Sequence, residues 1–187
     1  MQLGSNENGY SYANSVYASG SDVYVAGGEG EYPTLWKING TNLTPIQLTG
    51  KGFTNSVYIS GSDVYVVGHG IGFNATLWKV NGTNITSMSL NNNGGGSSIA
   101  YSVYISGSNI YVGGEESSKA ILWKVNGTTV SSTRFGEERG LANSVYIFGS
   151  DVYVVGVAYD GKLWKVNGAY VTTTNLGDCE PRSVFVK

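Results

Sequence analysis

His69, Cys179 and a small set of carboxylates are the side chains here that could move protons, attack carbon or hold a soft metal. His69 is the only histidine and Cys179 the only cysteine. A zinc site of the His/Cys type needs more such ligands than one chain supplies. A Ser-His-Asp triad could use only His69, which lies in the glycine-rich stretch GHGIGFNA (68–75) and reads as a solvated turn residue. No G-x-S-x-G nucleophile elbow accompanies it. Cys179 stands between Asp178 and Glu180, and these acidic neighbours make a nucleophilic role unexpected. Carboxylate pairs are the remaining catalytic equipment. Glu115-Glu116 and Glu137-Glu138 are sequence neighbours, whereas glycoside hydrolysis needs two carboxyls facing one another across a bond. The expectation is a non-enzymatic protein with no catalytic residue, no metal ligand and no cofactor.

The totals narrow the partners. A net charge of −2 provides no basic patch for a nucleic-acid backbone. No apolar run approaches the roughly 18 residues of a membrane span. The opening MQLGSNENGY has neither the basic nor the apolar part of a signal peptide, so the chain reads as cytosolic or as beginning after a removed leader. Composition is 41% hydrophobic and 12% aromatic, with 28 Gly and only 3 Pro, a profile of strands and tight turns.

The element that must position any site is a repeat. SVYASGSDVYVAG (15–27), SVYISGSDVYVVG (56–68), SVYISGSNIYVGG (102–114) and SVYIFGSDVYVVG (144–156) are near copies. Each is followed by an LWK-containing segment, and the four tryptophans, Trp36, Trp78, Trp123 and Trp164, are 42, 45 and 41 residues apart. A period of 40 to 50 residues marks propeller blades or helical solenoids. The short, β-branched and aromatic runs decide for β. Each unit reads as four strands: A (SVYIS), B (DVYVV), C (LWKV) and D (PIQL, 45–48, in the first copy). Gly-Ser between A and B suits a type II′ hairpin, and Asn39-Gly40, Asn81-Gly82, Asn126-Gly127 and Asn167-Gly168 predict type I′ turns between C and D. Strands apolar on both faces, such as Val64-Tyr65-Val66-Val67, need a neighbour on each side, which stacked blades supply. The predicted fold is a single all-β propeller of four complete four-stranded antiparallel blades, with repeats at about 13–48, 54–90, 100–135 and 142–176. Spare D-like and A-like strands at 1–5 and 183–187 would form a partial fifth blade or close against another chain.

An aliphatic strand, a short turn, YV.GG, a variable loop and an aromatic strand resemble the kelch-type propeller repeat. The chain is also similar to the VYVAG…WKNG repeats of bacterial surface propellers. The glycine pair stands at Gly27-Gly28 and Gly113-Gly114 but becomes Gly68-His69 and Gly156-Val157 in the other copies. The resemblance implies a binding or scaffold module in an extracellular or cell-envelope setting.

The four copies also serve as an internal alignment. Recurring Trp reads as packing between blades, recurring Lys as long stems lying over a blade edge, and recurring Asp22, Asp63 and Asp151 as turn hydrogen bonding. Six sequons, at Asn39, Asn42, Asn74, Asn81, Asn84 and Asn126, permit glycosylation in a secretory organism. The A–B and C–D turns are nearly invariant, while the B–C and D–A connections at the opposite rim vary in length and chemistry, so function is expected there. Ten of the thirteen acids and five bases fall on that rim, leaving it about five charges negative. The expected binding residues are Glu29, Glu31, Tyr32, His69, Phe73, Glu115, Glu116, Tyr159 and Asp160, presented to a protein or carbohydrate partner. A multivalent lectin using the repeated Trp and Tyr, and an architectural propeller joined through its terminal strands as a homo-oligomer, are the alternatives.

Overall fold

A computed structural model describes residues 2–3, 10–91, 96–137 and 139–186. Among them are sixteen strands in four antiparallel sheets of four, and no helix. Blade 1 comprises β1 (Ser11–Ser19), β2 (Asp22–Glu29), β3 (Tyr32–Asn39) and β4 (Asn42–Gln47). Blade 2 comprises β5 (Gly52–Ser60), β6 (Asp63–Gly70), β7 (Asn74–Asn81) and β8 (Asn84–Ser89). Blade 3 comprises β9 (Ser98–Ser106), β10 (Asn109–Glu116), β11 (Lys119–Asn126) and β12 (Thr129–Arg134). Blade 4 comprises β13 (Gly140–Phe148), β14 (Asp151–Ala158), β15 (Asp160–Asn167) and β16 (Tyr170–Gly177). The fold is the predicted four-bladed β-propeller architecture.

Three apolar cores lie between successive blades. Leu35 and Leu48 of blade 1 meet Val57, Val66 and Trp78 of blade 2. Leu77 and Leu90 meet Val103, Val112 and Trp123. Leu122 and Phe135 meet Val145, Val154 and Trp164, whose ring stacks on Phe135 at 4.6 Å. The four tryptophans are only 1–2% exposed. Burying each contributes roughly 4–6 kcal/mol of transfer free energy. The packing between blades expected for them holds for Trp78, Trp123 and Trp164; Trp36 is buried but lies in none of the three cores.

The A strands line the shared axis and repeat one joint. Ser15 Oγ accepts from Val57 N at 3.1 Å, Ser56 Oγ from Val103 N at 3.4 Å and Ser102 Oγ from Val145 N at 3.1 Å. Tyr17, Tyr58, Tyr104 and Tyr146 form a ladder with centroids 5.0, 5.0 and 5.2 Å apart. Residues 183–186 continue this joint without pairing as a strand, contrary to expectation. Val184 N donates to Ser144 Oγ at 3.2 Å, and the Phe185 ring stands 5.1 Å from Tyr146. Gln2 and Leu3 form no strand either, and the rest of segment 1–5 lies outside the described residues, as does Lys187.

The turns correct the sequence reading in one respect. Asn39 pairs across the ladder with Asn42, so Gly40 and Thr41 form the turn and only Gly40 has positive φ. The same holds at Gly82, Gly127 and Gly168. These are II′-type turns with Gly first, not I′ turns with Asn first. The displaced Asn does other work. Asn81 Nδ2 donates to Asp63 Oδ1 at 2.5 Å and Asn167 Nδ2 to Asp151 Oδ1 at 2.6 Å, with Asn39 and Asp22 arranged alike. Lys37, Lys79 and Lys165 pair with the same aspartates at 2.8, 2.7 and 2.6 Å, above the rings of Tyr24, Tyr65 and Tyr153. The lysine hydrogen bond holds each carboxyl below the usual Asp range. In blade 3 Asn109 takes the Asp place and accepts from Asn126 at 3.0 Å.

Candidate functional site

The variable rim is built by bulges. Each A strand carries one extra residue (Asn14, Asn55, Tyr101 and Asn143), and the B strand opposite has a glycine. A Cβ at Gly27, Gly68, Gly114 or Gly156 would come within 1.8–2.2 Å of the carbonyl oxygen of Tyr12, Phe53, Ile99 or Leu141. The glycine that recurs is therefore Gly114 in blade 3; Gly113 sits in the register of Ala26 and does not belong to the pair. Bulged Asn14, Asn55 and Asn143 donate to Thr54 O, Ala100 O and Pro181 O at 2.8, 2.8 and 3.0 Å, pinning blade 1 to blade 2, blade 2 to blade 3 and blade 4 to the segment after it. Past the glycines the strands continue, so the B–C connections expected as loops are short hairpins. Among the described residues, every non-glycine with positive φ is at one of these turns: Phe73, Ser117, Ser118 and Tyr159. Such strain collects at functional surfaces.

One place on this rim differs in kind. Phe53 and His69 face each other across β5 and β6, and a column of rings runs Tyr10, Tyr12, Phe53, His69, Phe73 with centroids 6.3, 5.4, 5.2 and 5.0 Å apart. The column borders a cleft of about 410 Å³ between blades 1 and 2, lined also by Glu31, Lys51, Ile71 and four glycines. Tyr10, Phe53, Ile71 and Phe73 are exposed. Asn74 Nδ2 donates to Ile71 O at 3.0 Å and holds the turn that presents Ile71 and Phe73. Gly52 N donates to Glu31 O at 3.0 Å and ties the two walls together. At the lip, Lys51 pairs with Glu31 at 2.5 Å and stands 5.9 Å from the Tyr32 ring. Their mutual hydrogen bond lowers the Glu31 pKa and raises that of Lys51. The residues matching His69 in blades 1, 3 and 4 are Gly28, Glu115 and Val157, so no other blade repeats the column.

Of the residues expected from sequence, Glu31, Tyr32, His69 and Phe73 are gathered here. Glu29 lies with Tyr32 in a smaller groove of about 250 Å³ on blade 1. Glu115 accepts from Tyr101 Oη at 2.9 Å and lines a separate groove with Arg139 and Glu180. Tyr159 and Asp160 are on blade 4, with Asp160 3.7 Å from Lys162. Glu116 needs correcting: it is 1% exposed and paired with Arg134, so it is interior structure and not a ligand contact. Glu115 and Glu116, adjacent on one strand, point to opposite faces and form no catalytic pair. Glu138 lies outside the described residues, and its neighbour Glu137 is paired with Lys119. Tyr10, Phe53, Lys51 and Ile71 were missed as contacts.

Arg134, paired with Glu116, joins the five rim bases counted from sequence. Five of the rim acids are ion-paired there: Glu31, Glu116, Glu137, Asp160 and Glu180. The four indoles are buried, three of them between blades, so the tryptophan part of the lectin alternative has no exposed ring to offer a sugar. Among the described residues no three His, Cys, Asp or Glu stand together as a metal site would require.

No family model matches the chain, and no curated protein matches it in sequence. Solved structures do match in fold. A chain of a nidogen/laminin complex aligns with TM-score 0.64 at 11% identity, over 91% of this chain and 67% of that one. The Aleuria aurantia lectin, in complex with α-methyl-L-fucoside, aligns with TM-score 0.62 at 10% identity, over 92% of this chain and 62% of the lectin. The computationally designed protein Ika4 aligns with TM-score 0.55 at 14% identity, over 95% and 99%. At these identities the likeness is one of fold. It supports the propeller, and the kelch resemblance gains no support from a family match.

Proposed function

We propose that this chain is a non-catalytic binding module that captures a protein or carbohydrate partner on its variable rim, at the cleft between blades 1 and 2. The observation that carries this is the Tyr10–Phe73 ring column at one blade interface, centred on His69, whose place is taken by Gly, Glu or Val in the other blades. Scaffold residues recur in every blade; these do not. Aromatic walls with a few polar groups at the lip are the ordinary makeup of a recognition site. The fold neighbours include a lectin with a bound fucoside and a chain from a protein–protein complex, which agrees with recognition as the task. A non-catalytic role is supported by the engagement of His69 between two rings and of Glu31 with Lys51. An extracellular or cell-envelope setting belongs to the same proposal. The test is Phe73→Ser combined with Ile71→Ser, screened on glycan and extracellular-protein arrays. Loss of the captured ligand with an unchanged melting temperature supports the cleft; full retention of capture refutes it.

A further inference from the structure

At the rim opposite the cleft, blades 1, 2 and 4 each seat a carboxylate of their own. Asp22, Asp63 and Asp151 offer Oδ1 to the side-chain amide of Asn39, Asn81 or Asn167. Their Oδ2 atoms pair with Lys37, Lys79 or Lys165. Blade 3 keeps the receiving groups and lacks the carboxylate. Lys124 Nζ stands 5.6 Å from the Tyr111 ring centre, the same distance that separates Lys37, Lys79 and Lys165 from their tyrosines. It makes no ion pair among the described residues. Asn109 Oδ1 accepts from Asn126 as the Asp Oδ1 does elsewhere, which leaves Asn109 Nδ2, a donor, in the place of Oδ2. Lys124 and Tyr111 line a groove of about 170 Å³ between blades 3 and 4, together with Thr133 and Ser150. The matching groove between blades 1 and 2, about 390 Å³, has Asp22 in its wall beside Lys37. Thr133, opposite Leu122 in the ladder, takes the place that Ile46 and Met88 hold opposite Leu35 and Leu77. The blade that lost its acid thus has a hydroxyl where blades 1 and 2 are apolar.

We propose that the groove between blades 3 and 4 binds a small hydroxylated carboxylate, one acidic sugar unit, whose carboxyl group sits where Asp22, Asp63 and Asp151 place theirs. Lys124 Nζ and Asn109 Nδ2 donate to it. Two donors turned to one place, one of them charged, call for an ionised acceptor, because charge-assisted hydrogen bonds are the stronger kind. The hydroxyls of Thr133 and Ser150 both donate and accept, which suits the hydroxyls of a sugar ring. The other blades show the seat already filled: their own aspartate does what the ligand does here. This site is at the opposite rim from the aromatic cleft and does not depend on it.

The test is titration of the chain with D-glucuronate at low ionic strength, followed by amide NMR shifts, with D-glucose and acetate as controls. The expected result is shift changes at Lys124, Thr133 and Ser150, with a dissociation constant on the order of 1 to 10 mM. Glucose, without the charge, and acetate, without the hydroxyls, should each bind about tenfold more weakly. Two variants read the seat itself. Lys124→Met removes the cation, and Asn109→Asp fills the place with a built-in carboxylate, so glucuronate should bind about tenfold more weakly to each. Asn109→Asp carries the residue that the other blades have, and circular dichroism checks that both variants keep their sheet content. Glucuronate binding unchanged in Asn109→Asp overturns the proposal, as does glucose or acetate binding as tightly as glucuronate. The Phe73 and Ile71 substitutions report capture at the cleft separately.

Discussion

A single methyl group added at Gly68 tests how the rim is built. The Cβ of Gly68→Ala would stand 1.9 Å from Phe53 O and 2.8 Å from Thr54 Cα. An ordinary C···O approach is about 3.3 Å, so β5 and β6 must part locally by about 1.4 Å. That disturbs the pairing of Thr54 with Gly68 and of Phe53 with His69. Losing about two ladder hydrogen bonds at about 1 kcal/mol each, together with about 1–3 kcal/mol of misfit, gives about 3–5 kcal/mol. For a chain of this size the melting temperature should fall by roughly 10 °C. The control is Gly61→Ala, where φ is +61° and nothing lies within 4 Å of the added carbon. Its cost is only left-handed strain, about 1–2 kcal/mol. Thermal and urea unfolding of the two variants decides the matter. A Gly68→Ala variant no less stable than Gly61→Ala would refute the close-packed bulge and with it the account of how Phe53 reaches His69.

Two further outcomes are expected. Trp78→Phe removes the Nε1 bond to Thr49 O at 3.0 Å as well as ring volume, whereas Trp36 Nε1 has no hydrogen-bond partner among the described residues. Trp78→Phe should therefore cost about 1 kcal/mol more than Trp36→Phe in urea unfolding; equal losses would show that the indole bond contributes nothing. The lysine-paired Asp22, Asp63 and Asp151 carboxyls titrate lower folded than unfolded. Their stabilisation is intact above the unfolded value of about 3.9 and is lost as pH falls through the depressed folded value. Replacing all three by Asn, as blade 3 has at Asn109, should flatten the acid limb of the stability profile. Asn109→Asp should steepen that limb and add a small stabilisation near neutrality that fades in high salt, because these pairs are partly exposed. A profile unchanged in both variants would contradict the assignment.

The blades were legible in the sequence because β-strand alternation and inter-blade packing act on every copy alike. Trp78 needs Leu48 before it in the same way that Trp123 needs Leu90. What escaped was register. Asn39-Gly40 has the composition of a I′ turn, but Asn39 is held back as a strand residue by its bond to Asp22, and that competing partner lies 17 residues away. The pairing of Phe53 with His69 was hidden for a related reason. It depends on Asn55 being bulged out, and a bulge changes which residues face each other without changing composition. Phe53, just outside the predicted repeat 54–90, is in fact at the start of β5. Two signals were available, namely the glycine recurring at Gly27, Gly68, Gly114 and Gly156 and the alternating run Gly52-Phe53-Thr54. The burial of Glu116 turned on Arg134, two strands away, which no local reading of Glu115-Glu116 could supply.

The bulge and its facing glycine form a collar at the same height in all four blades. Below it, strand lengths and turns are nearly uniform; above it, the B–C turns hold different numbers of residues and different side chains. Changes above the collar do not shift the pairing beneath, because the extra residue is absorbed at Asn14, Asn55, Tyr101 or Asn143 before it can propagate. Such a chain can acquire a new recognition surface in one blade while the other three, and the folding of the whole, stay as they were.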